Sequence, residues 1–143
     1  MPSFDRTEAL ERLTAARVAI LGTVDPAGAP HLVPVTFAVD GDTVWTAVDE
    51  KPKGGTRPLR RHANILSEAR VSLLVQHWDE DWTRLWWVRA DGVAAISESP
   101  AVTDRVAGLL RRKYRQYDRV GLAGPVIGVT VHTVRGWTAT PTT

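Results

Sequence analysis

Between residues 18 and 48 the chain alternates short β-branched runs with residues that make turns, and this pattern leaves few architectures open. Residues 18–24 read Val-Ala-Ile-Leu-Gly-Thr-Val, long enough for a strand and far too short to cross a membrane. Asp25-Pro-Ala-Gly28 follows, with Pro26 preset for the second position of a turn and Gly28 free to take positive φ. Residues 29–40 should therefore return antiparallel. Asp40-Gly41 turns the chain again, and Thr43-Val-Trp-Thr-Ala-Val48 forms a third strand, completing a meander of three.

The remaining elements point to the same class. Ser3 is placed to cap a helix over residues 4–16, in which Phe4, Leu10, Leu13 and Arg17 fall near one face while Asp5, Glu8, Glu11 and Arg12 stay solvated. Pro58 suits the first position of a second helix carrying Leu59, His62, Ala63, Ile65 and Leu66. Strands follow over residues 71–76 and 85–97, split by the acidic loop His77-Trp-Asp-Glu-Asp-Trp82. Ser99-Pro100 starts a third helix, with Ser as cap and Pro at the first helical position, running to about Tyr114. A last strand covers residues 126–134. Six antiparallel strands with three inserted helices argue a small closed or partly closed barrel rather than an alternating βαβ sheet. The 143 residues make one domain, 1–143. No apolar run approaches membrane-spanning length, and Met-Pro-Ser-Phe-Asp-Arg lacks the charged-then-apolar order of a signal peptide, so the expectation is a cytoplasmic chain with no membrane partner.

Several chemistries are disfavoured. The absence of cysteine removes disulfides, thiolate zinc sites and thiol nucleophiles together. His31, His62, His77 and His132 show neither H-x-H nor H-E-x-x-H spacing, so no metal site is expected. G-x-S-x-G is missing, and Ser67, Ser72, Ser97 and Ser99 lie in cap or strand contexts. Asp79, Glu80 and Asp81 suit either acid–base work or a solvated loop. A net charge of only +2 gives no reason to expect a nucleic-acid partner. Four of the six tryptophans fall between residues 78 and 87. Adjacent in a strand, Trp86 and Trp87 face opposite sides, one toward a core and the other toward a partner chain or a planar ligand. Aromatics beside Arg84 and Arg89 would also suit nucleobase stacking, although no motif accompanies them.

The stretch Thr46-Ala-Val-Asp-Glu-Lys-Pro-Lys-Gly-Gly55 holds two of the three lysines in a chain that otherwise uses arginine. Lys51, Lys53, Arg57, Arg60 and Arg61 place five cations in eleven residues, Gly54-Gly55 lets the backbone approach a ligand, and the run feeds a helix N-terminus. Phosphate or carboxylate binding is the functional reading. A solvated basic turn with a helix cap is the structural one. The spacing is not that of a P-loop.

The order of these pieces resembles a known family. The N-terminal helix, then Ala19-Ile-Leu-Gly-Thr-Val-Asp-Pro-Ala-Gly-Ala-Pro-His-Leu-Val-Pro-Val-Thr-Phe37, then Asp49-Glu-Lys-Pro-Lys53 before a helix with Leu59-Arg60 and Asn64-Ile65, resembles the pyridoxamine 5′-phosphate oxidase-like superfamily of flavin and deazaflavin proteins. Val71-Ser-Leu-Leu-Val75 and Asp81-Trp-Thr-Arg-Leu-Trp-Trp-Val-Arg-Ala-Asp-Gly-Val-Ala94 are similar to its actinobacterial branch, which uses coenzyme F420, an 8-hydroxy-5-deazaflavin. The resemblance covers nearly the whole chain. It implies a mainly β, FMN-binding split β-barrel of six or more antiparallel strands with about three helices, paired as a homodimer with two cofactor clefts at the interface.

Carried onto this chain, the resemblance implies that Val35, Thr36 and Phe37 run beside the tricyclic ring and that Thr46, Ala47 and Val48 flank it. Lys51 and Lys53 would meet the phosphate with help from Arg57 or Arg60, and Asn64 would add a polar contact. His77, Trp78, Trp86 or Arg89 would complete the cleft from the second subunit. The implied activity is hydride transfer between the deazaflavin C5 and a small conjugated or unsaturated substrate, with His77, Tyr114 or Tyr117 as candidate proton donors. An FMN-dependent oxidase or reductase is the alternative, as is a non-catalytic carrier of F420, FMN or haem, with His77 or His132 as axial ligand in the last case.

Overall fold

The computed structural model describes residues 3–49 and 59–140. Strands β1 (Ala19–Val24), β2 (Pro30–Val35), β3 (Ala38–Asp40), β4 (Thr43–Asp49), β5 (Arg70–His77), β6 (Trp86–Ser97) and β7 (Leu122–Thr138) form one antiparallel sheet in the order β2-β1-β5-β6-β7-β4-β3. Helices α1 (Arg6–Ala15), α2 (Arg60–Ser67) and α3 (Pro100–Lys113) interrupt it. The class is thus mainly β, with seven strands where the sequence suggests six.

The extra strand comes from a break in residues 29–40, and the break closes the barrel. β2 and β3 are the two edges of the sheet, yet only Thr36 and Phe37 separate them along the chain. Three Cα steps span at most about 11 Å, so the edges must lie side by side. Side chains staple this seam. Thr46 Oγ1 donates to the Thr36 carbonyl at 2.7 Å, and the Thr36 and Tyr117 hydroxyls share a 2.5 Å hydrogen bond. The Phe37 N–H donates to the Tyr114 hydroxyl at 3.2 Å, and that hydroxyl faces the carbonyls of Phe37 and Arg17 at 3.1 and 3.0 Å.

Alternation in β1 sets the interior, with Ala19, Leu21 and Thr23 buried while Ile20, Gly22 and Val24 face outward. Leu21, Phe37, Leu73, Val75, Val88 and Val129 fill the barrel, and α1 closes one end with Ala9 and Leu13. Trp86 packs edge-on against Phe4 with ring centroids 6.2 Å apart, so it is the core-facing member of the tryptophan pair. A second cluster joins Val106, Leu110, Tyr114 and Tyr117 to Ala38 and Val126.

Several boundaries differ from the sequence reading. Asp5, not Ser3, caps α1, because its carboxylate accepts the Glu8 N–H at 2.8 Å while Ser3 pairs with Trp137 as an isolated bridge. α2 starts at Arg60 with Leu59 at the cap, and Ser99 occupies the cap of α3 without a side-chain hydrogen bond. β7 runs well beyond residues 126–134 at both ends. No helix among the described residues is long and apolar enough to cross a membrane.

The seam also carries a desolvated ammonium, held over the face of an aromatic ring. Lys113 Nζ lies 3.8 Å from the Phe37 ring centroid, buried and without a hydrogen-bond partner, and burial together with Arg17 pushes its pKa down to about 8. A folded-state pKa below the unfolded value means that the folded chain binds fewer protons between pH 8 and 10.5, so stability rises with pH across that window. Lys113→Met is expected to melt roughly 4 °C above the wild type at pH 7, with the gap narrowing between pH 8 and 10. Tyr114, whose pKa is raised, acts in the opposite sense only above about pH 10. A gap that is constant with pH would remove the ammonium as its cause.

Candidate functional site

β4 loses its regular pairing just before the lysine loop. Thr46 faces Ile127 but Val48 faces Ala123, so the register slips by two residues of β7 around Gly124, which takes φ +76°. Ala47 and Val48 are half-buried at this irregular end. The chain leaves at Asp49 and returns at Leu59 into α2.

α2 lies against β1 and β6, pinned by a buried amide: Asn64 Nδ2 donates to Thr23 Oγ1 at 3.0 Å. Among the described residues nothing caps its first turn. Leu59 offers no side-chain cap, no acidic residue follows, and Arg60 is exposed. His62, the third residue of the helix, is only 7% exposed, and among the described residues neither ring nitrogen has a partner at hydrogen-bonding geometry. The Pro125 carbonyl is nonetheless close enough to act on the ring, which places the first turn of α2 beside the β4–β7 irregularity. Burial, then the neighbouring Arg61 charge, hold the His62 pKa below its ordinary value, so the imidazole is neutral at pH 7.

The residues expected at a cofactor fall into separate groups. Lys51, Lys53 and Arg57 lie outside the described residues. Val35 and Phe37 are buried in the core, and the Thr36 carbonyl and both backbone polar groups of Phe37 take part in the seam. Thr46 is buried with its hydroxyl turned to that same seam. Asn64 sits beneath α2 rather than on a surface. Tyr114 and Tyr117, considered above as proton donors, use their hydroxyls to hold the seam.

His77 and Arg89 are remote from this end. His77 is at the far end of β5, stacked on Trp86 at 6.2 Å and 3.8 Å from Asp79. Arg89 donates from Nε to Asp91 at 3.1 Å, and its register partners run Leu74, Ile20, Pro34. Three strand spacings, about 14 Å, therefore separate Arg89 from β2. Along β6 it is seven residues, roughly 23 Å, from the Ile96 pairing with Ile127. One chain alone does not bring the two groups together.

Near Arg89, the outer face of β1, β5 and β6 holds an open concavity of about 480 Å³ over Gly22, Ser72, Asp91 and Gly92. Ser72 Oγ donates to Asp91 at 2.6 Å within it, and Leu32 and Val93 stay exposed at its rim, at 68% and 42%. The sequence reading missed His62 as a polar group, counting it on the packed side of α2. The one signal for it was its position, third in a helix entered from a basic loop.

The family model for pyridoxamine 5′-phosphate oxidase matches residues 6–138. The chain belongs to this family. Its barrel is accordingly the split barrel of pyridoxamine 5′-phosphate oxidase-like proteins, and solved structures share the fold. The conserved hypothetical protein Rv2991 from Mycobacterium tuberculosis is 22% identical with a TM-score of 0.74, over 95% of this chain and 86% of that one. An FAD-binding protein from Mesorhizobium loti is 17% identical with a TM-score of 0.71, over 94% of each chain. HutZ, the haem storage protein from Vibrio cholerae, is 13% identical with a TM-score of 0.68, over 93% of each. No curated protein sequence matches the chain significantly.

Proposed function

We propose that this family member is an F420-dependent oxidoreductase, working in the cytoplasm as a homodimer on a small conjugated or unsaturated substrate. The observation that carries the reading is the reach of positive charge at the β4–α2 end. Beyond Lys51 and Lys53 the chain adds Arg57, Arg60 and Arg61, and α2 adds an uncapped, acid-free first turn. FMN ends in one phosphate, whereas F420 continues into a phosphodiester and an oligoglutamate tail that such a run of cations can follow.

On this reading Lys51 and Lys53 hold the phosphate, Arg57 and Arg60 follow the carboxylates, and residues 35–37 and 46–48 border the ring. When bound, the deazaflavin supplies the two-electron chemistry, with a hydride leaving ring carbon C5. The chain's own part is to orient the ring, neutralise the tail and shield the reacting face, work that needs no catalytic triad. His77 and Arg89, remote within one chain from residues 35–37 and 46–48, serve the cleft of the second copy. The exposed Leu32 and Val93 suit the outer face of the barrel to that contact.

Titration with F420, FMN and haem side by side tests the reading. Micromolar or tighter F420 binding is the expected result. Firm FMN binding without F420 binding would overturn it in favour of the FMN-dependent alternative. Haem binding alone would make the protein a carrier.

A further inference from the structure

We propose that His62 is a proton-linked contact for the ligand's anionic tail, so that an anion seated at the first turn of α2 binds together with one proton on the imidazole. The inference rests on the anionic-cofactor reading above and adds a residue and a pH dependence to it. Two independent observations meet here. Among the described residues the first turn of α2 has no side-chain cap and no acid, and the third residue of that turn carries a buried imidazole that has the Pro125 carbonyl beside it but no partner at full hydrogen-bonding geometry. Helical side chains lean toward the N-terminus, which sets the ring over the first turn.

The proton follows from counting donors. Pro125 has no N–H, so the polar group that it turns to the ring is a carbonyl acceptor. An anion is an acceptor as well. A neutral imidazole has one N–H and can serve only one of them, whereas the protonated ring serves both.

Burial first, and then the charge beside it, keep the His62 ring neutral in the free protein. Arg60 and Arg61 precede it on α2, and Arg61 disfavours its protonation. β1 contributes Thr23, which is not ionisable, and His31 stands opposite Thr23 on β2. Residues 94–97 of β6 and 122–127 of β7 include no ionisable side chain. The side chains of residues 49–58 lie outside the described residues. An arriving anion offsets the arginine charge and raises the imidazole pKa. Affinity then climbs as pH falls between the bound and free values, by up to about tenfold per pH unit.

The test compares F420 with its tail-less chromophore, 8-hydroxy-5-deazariboflavin, from pH 8.5 to 5.5. The two share every ring ionisation, and the tail of F420 keeps a constant charge over this range. The ratio of their affinities should rise as pH falls in the wild type and stay flat in His62→Gln. Should that variant fail to fold, NMR titration of the wild-type imidazole decides, with a His62 midpoint at least about one unit higher in the F420 complex. A flat wild-type ratio, or a midpoint that does not move, overturns the proposal. If neither F420 nor FMN binds, the cofactor reading fails by itself. Sodium sulfate then serves as the anion in the same NMR titration, where a raised His62 midpoint supports the proton-linked site and an unmoved one overturns it.

Discussion

Gly92→Ala is expected to melt about 10–20 °C below the wild type, a loss of roughly 3–5 kcal/mol. Gly92 sits where β6 and β7 change register: Asp91 faces Thr133 and Gly92 faces Val131, leaving His132 as the extra residue on β7. A Cβ at Gly92 would stand 2.1 Å from the Thr130 carbonyl oxygen and 2.9 Å from its carbon. Both are backbone atoms in the longest ladder of the sheet, so relief requires moving a strand rather than rotating a side chain. Gly108→Ala is the control in the same melts. A Cβ there meets nothing within 4 Å, and the change favours α3 by up to about 1 kcal/mol through helix propensity. Gly92→Ala melting with the wild type would mean that β7 yields at the bulge.

Much of the fold was legible because its turns are written locally. Asp25 Oδ1 accepts the N–H groups of Ala27 and Ala29 at 2.9 and 2.8 Å, and Gly28 and Gly41 take φ of +87° and +63°, as their turns require. The break at Thr36-Phe37 was not legible. Those residues continue a β-prone run, and what interrupts them is tertiary: the chain must leave one sheet edge and join the other under Tyr114 and Tyr117, about eighty residues away in sequence. β7 was cut short for a related reason. Gly124-Pro125 reads as punctuation, but the strand pairs through it by a bulge. At the other end, Gly136 stays in the strand because Phe4 packs where its Cβ would be.

The candidate site divides in the same way. Its cations are visible as a run in the sequence, whereas the open first turn of α2 and the orphaned ring of His62 exist only once α2 is laid on β1 and beside Pro125. A hydrophobic-face reading of α2 finds Ile65 and buries His62 but misplaces Leu59, Ala63 and Leu66, which are exposed, and it cannot register that the imidazole lacks a partner at full hydrogen-bonding geometry among the described residues.

Lys51→Ala combined with Lys53→Ala is expected to weaken F420 binding by roughly 100- to 1,000-fold. A hydrogen bond between charged groups contributes about 1.5–3 kcal/mol, and each 1.4 kcal/mol is tenfold in affinity. The estimate falls below the sum of two full contacts because the proposed reading leaves Arg57 and Arg60 to hold part of the tail. Affinity for the tail-less chromophore should change less than about threefold, since the proposed reading borders the ring with residues 35–37 and 46–48. On the anion-clamp reading the melting temperature without ligand should stay within about 2 °C. These readings separate the two roles first considered for the loop. Wild-type F420 affinity in the double variant would remove the lysines from the clamp. Loss of folding would make the segment a structural turn. Equal losses for F420 and the chromophore would place the lysines against the ring rather than the phosphate. Raising the salt concentration should weaken wild-type F420 binding more steeply than binding by the double variant, because fewer charges then face the anion.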